Sequence, residues 1–216
     1  MEHLGTAALE AGLDEVRRSP SDCGTVELIV RRPAVDEREV LAEGGLDAQV
    51  GLVGDTWPKR GSRRTADGSS HPDMQLTIMN AQAALLVAGD PARRQLAGDQ
   101  LYVDLDLSTA NLPTGTRLAL GSAVVEVTDQ PHNGCAKFAA RFGIDALRFV
   151  NSRVGRGLRL RGLNARVVVS GTVRRGDTIR KLPADTDTDT DTDTDTRTCP
   201  SRAADRQPAR APTTPA

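Results

Sequence analysis

Cys135 stands in the run Asp129-Gln-Pro-His-Asn-Gly-Cys-Ala-Lys-Phe138. A thiolate is a soft metal ligand and a nucleophile able to carry sulfur. The run lies between a strand pattern and a helix pattern, so Cys135 falls at a predicted helix N-terminus. The helix dipole and free N–H groups there favour negative charge. Lys137 and His132 flank the thiol and act in the same direction. The plainer alternative is a buried cysteine packing as a small hydrophobe, and the polar neighbours weigh against it. Cys23 and Cys199 have no basic or histidine-rich surroundings and read as bystanders. His132 can orient a ligand or the thiol, or simply shape a turn. His71 lies in a polar loop that can reach the site, and His3 is terminal.

Other chemistries find little support. There is no G-x-S-x-G elbow, P-loop, G-x-G-x-x-G or H-E-x-x-H. Asp104 and Asp106 share one face of a strand at period 2, as a carboxylate pair would, but exposed strand faces commonly carry Asp. The three cysteines show no C-x-x-C spacing, so free thiols in a cytoplasmic protein are the expectation. No segment approaches the roughly 20 apolar residues of a membrane span. Met1-Glu2-His3 begins no secretory signal.

The net charge of −1 hides unlike parts. From Asp185 the chain runs through six Asp-Thr pairs into a polar end. Such a stretch cannot bury apolar surface and reads as a disordered tail over 183–216. The repeated Asp suggests calcium loops, yet the glycines that turn such loops are missing. Between Lys137 and Arg180 there are eleven basic residues and two acids. That excess suits an anionic partner, although arginine also decorates ordinary solvated faces. Only five residues are aromatic, Trp57, Tyr102, Phe138, Phe142 and Phe149. A base-stacking platform is thereby excluded, nucleic acid is not the expected partner, and the core must be aliphatic.

The elements that position these residues read as mainly β. Residues 4–18 form a short amphipathic, peripheral helix within an N-terminal extension, 1–24. Strands are expected at 25–31, 74–79, 101–107, 116–120, 123–128, 166–173 and 178–182. Glu37–Leu41 reads as a helical turn, and Gly44 to Gly54 as a loop. Residues 58–73 form a long polar excursion carrying Arg60, Arg63 and Arg64. Asn80 is placed to cap a helix over 81–88. Gly121-Ser122 is a two-residue hairpin signal. Short helices are expected at 135–142 and 145–152. Strands of this length with short turns imply a closed or half-closed β-barrel with helical decorations over 25–182.

These residues resemble a known family. Gly51-Leu-Val-Gly-Asp55, Gly98-Asp-Gln-Leu101, Asp106-Leu107, Gly115-Thr-Arg-Leu118, Gly121, Val125-Glu-Val-Thr128 and Pro131-His-Asn-Gly-Cys135-Ala-Lys137 are similar to the MOSC domain. This is the C-terminal domain of molybdenum-cofactor sulfurases, which also occurs as small stand-alone bacterial proteins. The resemblance implies a β-barrel-like domain over 25–182 that binds a pterin–molybdenum cofactor. Cys135 then aligns with the sulfur carrier or molybdenum ligand. Arg60, Arg63, Arg64 and Lys137 are the candidates for the cofactor's anionic groups, with Thr77, His132 and Asn133 for its polar edges. Two positions depart from the pattern: many members have Glu-Asn where this chain has Asp99-Gln100, and Pro-Arg where it has Pro131-His132. The implied activity is sulfur transfer in metal–sulfur cofactor assembly, or reduction of N-hydroxylated compounds. Either needs a separate sulfur donor or electron-transfer protein. Pyridoxal phosphate is associated with the family through an aminotransferase-like domain, and it is not expected within this chain. The competing readings are a non-enzymatic anion- or nucleic-acid-binding module, and a degenerate MOSC domain without activity.

Overall fold

The computed structural model describes residues 3–183. Its strands are β1 (Cys23–Arg31), β2 (Glu39–Leu41), β3 (Glu43–Asp47), β4 (Gly51–Leu52), β5 (Leu76–Asn80), β6 (Leu101–Asp104), β7 (Arg117–Leu120), β8 (Ala123–Val127), β9 (Leu163–Val169), β10 (Gly171–Arg174) and β11 (Thr178–Lys181). The helices are α1 (Thr6–Ala11), α2 (Leu13–Arg17), α3 (Ala81–Ala88), α4 (Ala136–Phe142), α5 (Ile144–Asn151) and α6 (Arg153–Gly157).

Seven strands close into a barrel in the order β11-β7-β8-β9-β5-β6-β1, and β1 pairs back onto β11. Neighbours run antiparallel except β5 and β6, which are parallel. A parallel pair needs a crossover, and α3 with the 3-10 stretch Pro91–Ala97 supplies it. Residues 23–25 of β1 pair with β11, and residues 29–31 of the same strand pair with β2. A separate three-stranded sheet runs β10-β3-β4. Among the described residues no helix is long and apolar enough to cross a membrane.

Strand alternation sorts the apolar residues into two cores. Leu101 and Val103 point into the barrel, whereas Tyr102 between them joins the helices outside. The barrel interior is wholly aliphatic, with Val26, Ile29, Leu76, Ile78, Val125 and Val127 among its members. Tyr102, Phe138, Phe142 and Phe149 all lie in the outer, helical cluster. Aromatic scarcity therefore leaves the closed barrel untouched, because its narrow interior is filled by branched aliphatic side chains.

Several local expectations are corrected. Glu37–Leu41 yields strand β2 rather than a helical turn, because its backbone pairs with Ile29 to Arg31. The glycine run holds β3 and β4. A Cβ at Gly44 would sit 2.8 Å from the Leu52 side chain, so glycine there allows close packing. The single strand expected at 166–173 divides at Ser170, and its two halves enter different sheets. The N-terminal segment is two helices, and its Leu9, Leu13 and Val16 are buried in the outer core rather than peripheral. Cys23 is disulfide-bonded, not a free thiol. The Asp-Thr tail lies, from residue 184 on, outside the described residues.

Candidate functional site

A cavity of about 510 Å³ opens against the outer face of the barrel. Its floor includes Thr77 on β5 and Asn164 on β9, which are cross-strand partners. Both point outward because Leu76, Ile78, Leu163 and Ala165 beside them point inward. Gln100 fixes Thr77. The Thr77 backbone N–H and hydroxyl donate to Gln100 Oε1 at 2.8 and 2.6 Å, and Gln100 Nε2 donates to the Gln75 carbonyl at 3.1 Å. The side chain of Gln100 thus fills a gap in the sheet ladder. The Thr77 hydroxyl spends its proton there and keeps only lone pairs for a ligand.

The wall nearest Cys135 is built on an ion triad. Buried Asp99 accepts from Arg161 Nη1 at 2.6 Å and from His132 Nε2 at 2.9 Å. Arg161 Nη2 donates to the Ala97 carbonyl at 3.0 Å. Burial alone would raise the Asp99 pKa, but the charges and hydrogen bonds of Arg161 and His132 bring it down to about 2. His132 is pushed below its ordinary value by burial and by Arg161, against the opposing pull of Asp99. An ionised carboxylate only accepts, so Nε2 of the neutral ring carries the proton and Nδ1 the lone pair. Asp99 and His132, which come from two separate segments singled out in the sequence, are thus in direct contact.

A second wall follows β1. Asp55 of the Gly-x-x-Gly-Asp segment takes a two-pronged bond from Arg32, with Nε and Nη2 each at 2.8 Å. Arg32 Nη1 also donates to the Gly98 carbonyl at 3.0 Å, and Trp57 N–H donates to Asp55 at 2.9 Å. The motif is therefore a clamp joining three segments around the cavity. Asp36, with φ at 62°, accepts from Arg141 at 2.9 Å and faces Lys137 at 3.5 Å.

Cys135 is exposed and free, and it occupies the N-cap position of α4 as extended backbone. The burial alternative does not hold. Asn151 holds the loop before it through both backbone groups of Gly134, at 2.9 and 3.2 Å. A Cβ at Gly134 would lie 2.8 Å from Leu147 and 2.9 Å from Val150, so the loop can approach α5 only as glycine.

The electrostatics of this lining are lopsided. Arg32, Arg38, Lys59, Arg60, Lys137, Arg141 and Arg161 face one lining carboxylate, Asp36. Burial, then the nearby cations Arg141 and Arg32, lower the Arg38 pKa; burial, then Arg32, lower that of Arg60. Arg38 Nε, Arg161 Nε and Asn164 Oδ1 are buried without a hydrogen-bond partner. Buried polar atoms are nearly always paired, so these two donors and one acceptor set this lining apart.

Of the residues singled out in the sequence, Arg60, Thr77, His132, Asn133, Cys135 and Lys137 come together in this lining, with His71 beside them. Arg63 and Arg64 are not in it, and Arg64 instead donates to Gln130 at 2.7 Å. Sequence reasoning missed Arg32, Arg38, Arg141, Arg161 and Asn164. The doublet Arg31-Arg32 and the basic stretch after Lys137 were the available signals for Arg32, Arg141 and Arg161, and none marked Arg38 or Asn164. Asp104 and Asp106 do not pair. Asp104 accepts from the Ser19 hydroxyl at 2.7 Å, and Asp106 closes a local turn with Ser108 at 2.9 Å. No cluster of potential metal ligands occurs among the described residues.

This barrel, with its polar outer cavity and cysteine loop, defines a known class. The chain belongs to the MOSC domain family, whose pattern matches residues 71–180. Its fold is similar to the crystal structure of the YuaD protein from Bacillus subtilis, with a TM-score of 0.52 and 18% identity over 73% of this chain and 94% of that one. A structure titled as a hypothetical protein gives a TM-score of 0.51 and 21% identity over 76% of this chain and 69% of that one. YiiM from Escherichia coli gives a TM-score of 0.49 at 21% identity, covering 74% of this chain and 70% of that one. A search of curated proteins finds no match.

Proposed function

We propose that this cavity binds an anionic pterin–molybdenum cofactor and that Cys135 is its metal ligand or its sulfur carrier. The observation that carries this reading is a cavity rich in cations, with three orphaned buried polar atoms, beside an exposed thiol. The group fits these residues. A molybdopterin bears a phosphate and an anionic dithiolene, which Arg38, Arg60, Lys137 and Arg141 would hold. Its pterin edge offers N–H donors and ring acceptors, for which the Asn164 Oδ1 acceptor and the Thr77 lone pairs are suited. When bound, the cofactor supplies a metal centre for two-electron chemistry or for exchange of a terminal sulfur.

The chain's own residues do the rest. Asn151 and Gly134 hold the Cys135 loop at a fixed height above α5. Asp99 keeps Arg161 aimed along the wall and keeps His132 in one tautomer. A separate sulfur donor or electron-transfer protein completes either reaction.

The test is expression in a host that makes molybdopterin, followed by assay of molybdenum and pterin in the purified protein. Wild type is expected to carry both, and Cys135→Ser is expected to keep pterin while losing metal or transferable sulfur. Wild-type protein without either would overturn the reading. Equal metal and sulfur in both proteins would remove Cys135 from its role.

A further inference from the structure

Behind the Cys135 loop lies a second cavity of about 210 Å³. It shares only His132, Asn133 and Arg161 with the first, so these side chains form a thin common wall. Its far side is the turn Arg156-Gly-Leu-Arg159-Leu-Arg161, from the basic stretch that the first cavity only partly uses.

The turn is built tightly. A Cβ at Gly155 would fall 2.3 Å from the Phe149 carbonyl oxygen. One at Gly162 would fall 2.4 Å from that of Ile78, and Gly162 has φ at 101°. Between these anchors Arg159 adopts φ 47°, an unusual state for a residue with a side chain. That backbone is paired, with Gly162 N–H on the Arg159 carbonyl at 2.7 Å. The Arg159 guanidinium is pinned by one nitrogen, Nη1, which donates to the Leu112 carbonyl at 2.6 Å and the Leu107 carbonyl at 3.4 Å.

The charges on this turn are not balanced. Neither Arg156 nor Arg159 has an ion-pair partner among the described residues, and burial lowers the Arg159 pKa. Arg161 stands in the wall common to both cavities, and its unpartnered Nε is the one already counted for the first. The one carboxylate in the lining, Asp129, is exposed and accepts from Gln130 Nε2 at 2.8 Å. Exposed Thr114 adds a hydroxyl at the rim, while the Thr109 hydroxyl donates to the Gly157 carbonyl at 3.3 Å. Three arginines on one turn lining a small cavity, with nitrogens of Arg156 and Arg159 left over, suit the oxygens of a compact tetrahedral anion.

We propose that this second cavity is a binding site for a small tetrahedral oxyanion, of the sulfate or phosphate class, held by Arg156 and Arg159 with Arg161 behind them. It is independent of whether the first cavity takes a pterin. An anion there would abut His132 and Asn133 from the side opposite Cys135, so the two cavities would sense one another through that wall.

Inorganic sulfate is the probe, titrated into the full chain in low-salt buffer and followed by amide NMR. Shifts are expected at Gly155, Gly157 and Thr109. Arg156 is exposed, so Arg156→Gln should fold normally and weaken sulfate by about tenfold or more. Arg159→Gln should do the same, with its amide spectrum as the control for folding. Lys137→Ala, in the first cavity, should leave this affinity unchanged. Crystals soaked in selenate should show an anomalous peak between Arg156 and Arg159. Undiminished sulfate affinity in folded Arg156→Gln, or loss of it in Lys137→Ala, overturns the proposal. So does a selenate peak confined to the first cavity.

Discussion

Asp99 sets the charge state of the wall behind Cys135, and it does so through two unlike partners. Arg161 is a permanent cation, so the buried carboxylate is neutralised by the guanidinium whatever His132 does. His132 is then under no compulsion to be charged, and burial with Arg161 nearby keeps it neutral. The Nε2–H tautomer follows, and nitrogen-15 spectra of His132 at pH 7 should show Nε2 protonated and Nδ1 bare. The reverse pattern would mean that Asp99 is not the acceptor. Stability should follow the same groups. The folded pKa of His132 lies below the ordinary 6.5, so the unfolded chain binds that proton more readily, and stability falls as pH drops below 6.5. Asp99, at about 2 folded against 3.8 ordinarily, adds a second loss as pH falls through that interval. Thermal melts of wild type should decline in both windows, and His132→Asn should lack the upper decline. A wild-type melting temperature unchanged from pH 7.5 to pH 5 would count against this arrangement.

At the scale of elements, Asn80 does more than its position at the end of β5 suggests. Its Oδ1 accepts from Ala83 N–H at 2.9 Å and caps α3. Its Nδ2 donates to Ser19 Oγ at 2.8 Å and the Leu105 carbonyl at 2.9 Å. Helix, barrel and N-terminal segment therefore meet at one buried amide. Asn80→Ala should destabilise the fold by about 2–4 kcal/mol, since it removes a cap and leaves buried groups unpaired. Urea denaturation measures this, and a loss under about 0.5 kcal/mol would show the cap to be dispensable. The cap was legible in the sequence, and so was the hairpin at Gly121, where φ is 56°. Local chemistry decides both. Strands β2, β3 and β4 were not legible, because all three are short, β3 and β4 carry glycine, and each forms only by pairing with another strand. The site divides the same way. Cys135, Lys137 and His132 share one loop and could be read together. Arg38 and Asn164 meet them only after β1 and β9 take their places, and no local spacing announces that.

For the whole molecule, net charge is a poor guide to what it attracts. The chain as a whole is at −1, yet the first cavity collects seven cationic side chains against a single lining carboxylate. Asp55 and Asp99 behind the lining match Arg32 and Arg161, but repulsion among the others remains, and the lowered pKa values of Arg38 and Arg60 record it together with burial. An anion that binds the folded state alone relieves the repulsion and stabilises the fold through mass action. Inorganic pyrophosphate carries two linked anionic groups and suits this larger cavity better than the smaller one. At a hundredfold excess over its dissociation constant it should add about 2.7 kcal/mol, a rise of about 5–11 °C in melting temperature for a domain of this size. The rise should shrink as sodium chloride is added, because rim cations such as Lys137 are open to screening. Lys137→Ala and Arg60→Gln should each reduce the rise, while Arg156→Gln should not. If pyrophosphate leaves the melting temperature unchanged at low salt, the cation excess is satisfied by solvent alone. The cavity would then hold no small inorganic anion by charge alone.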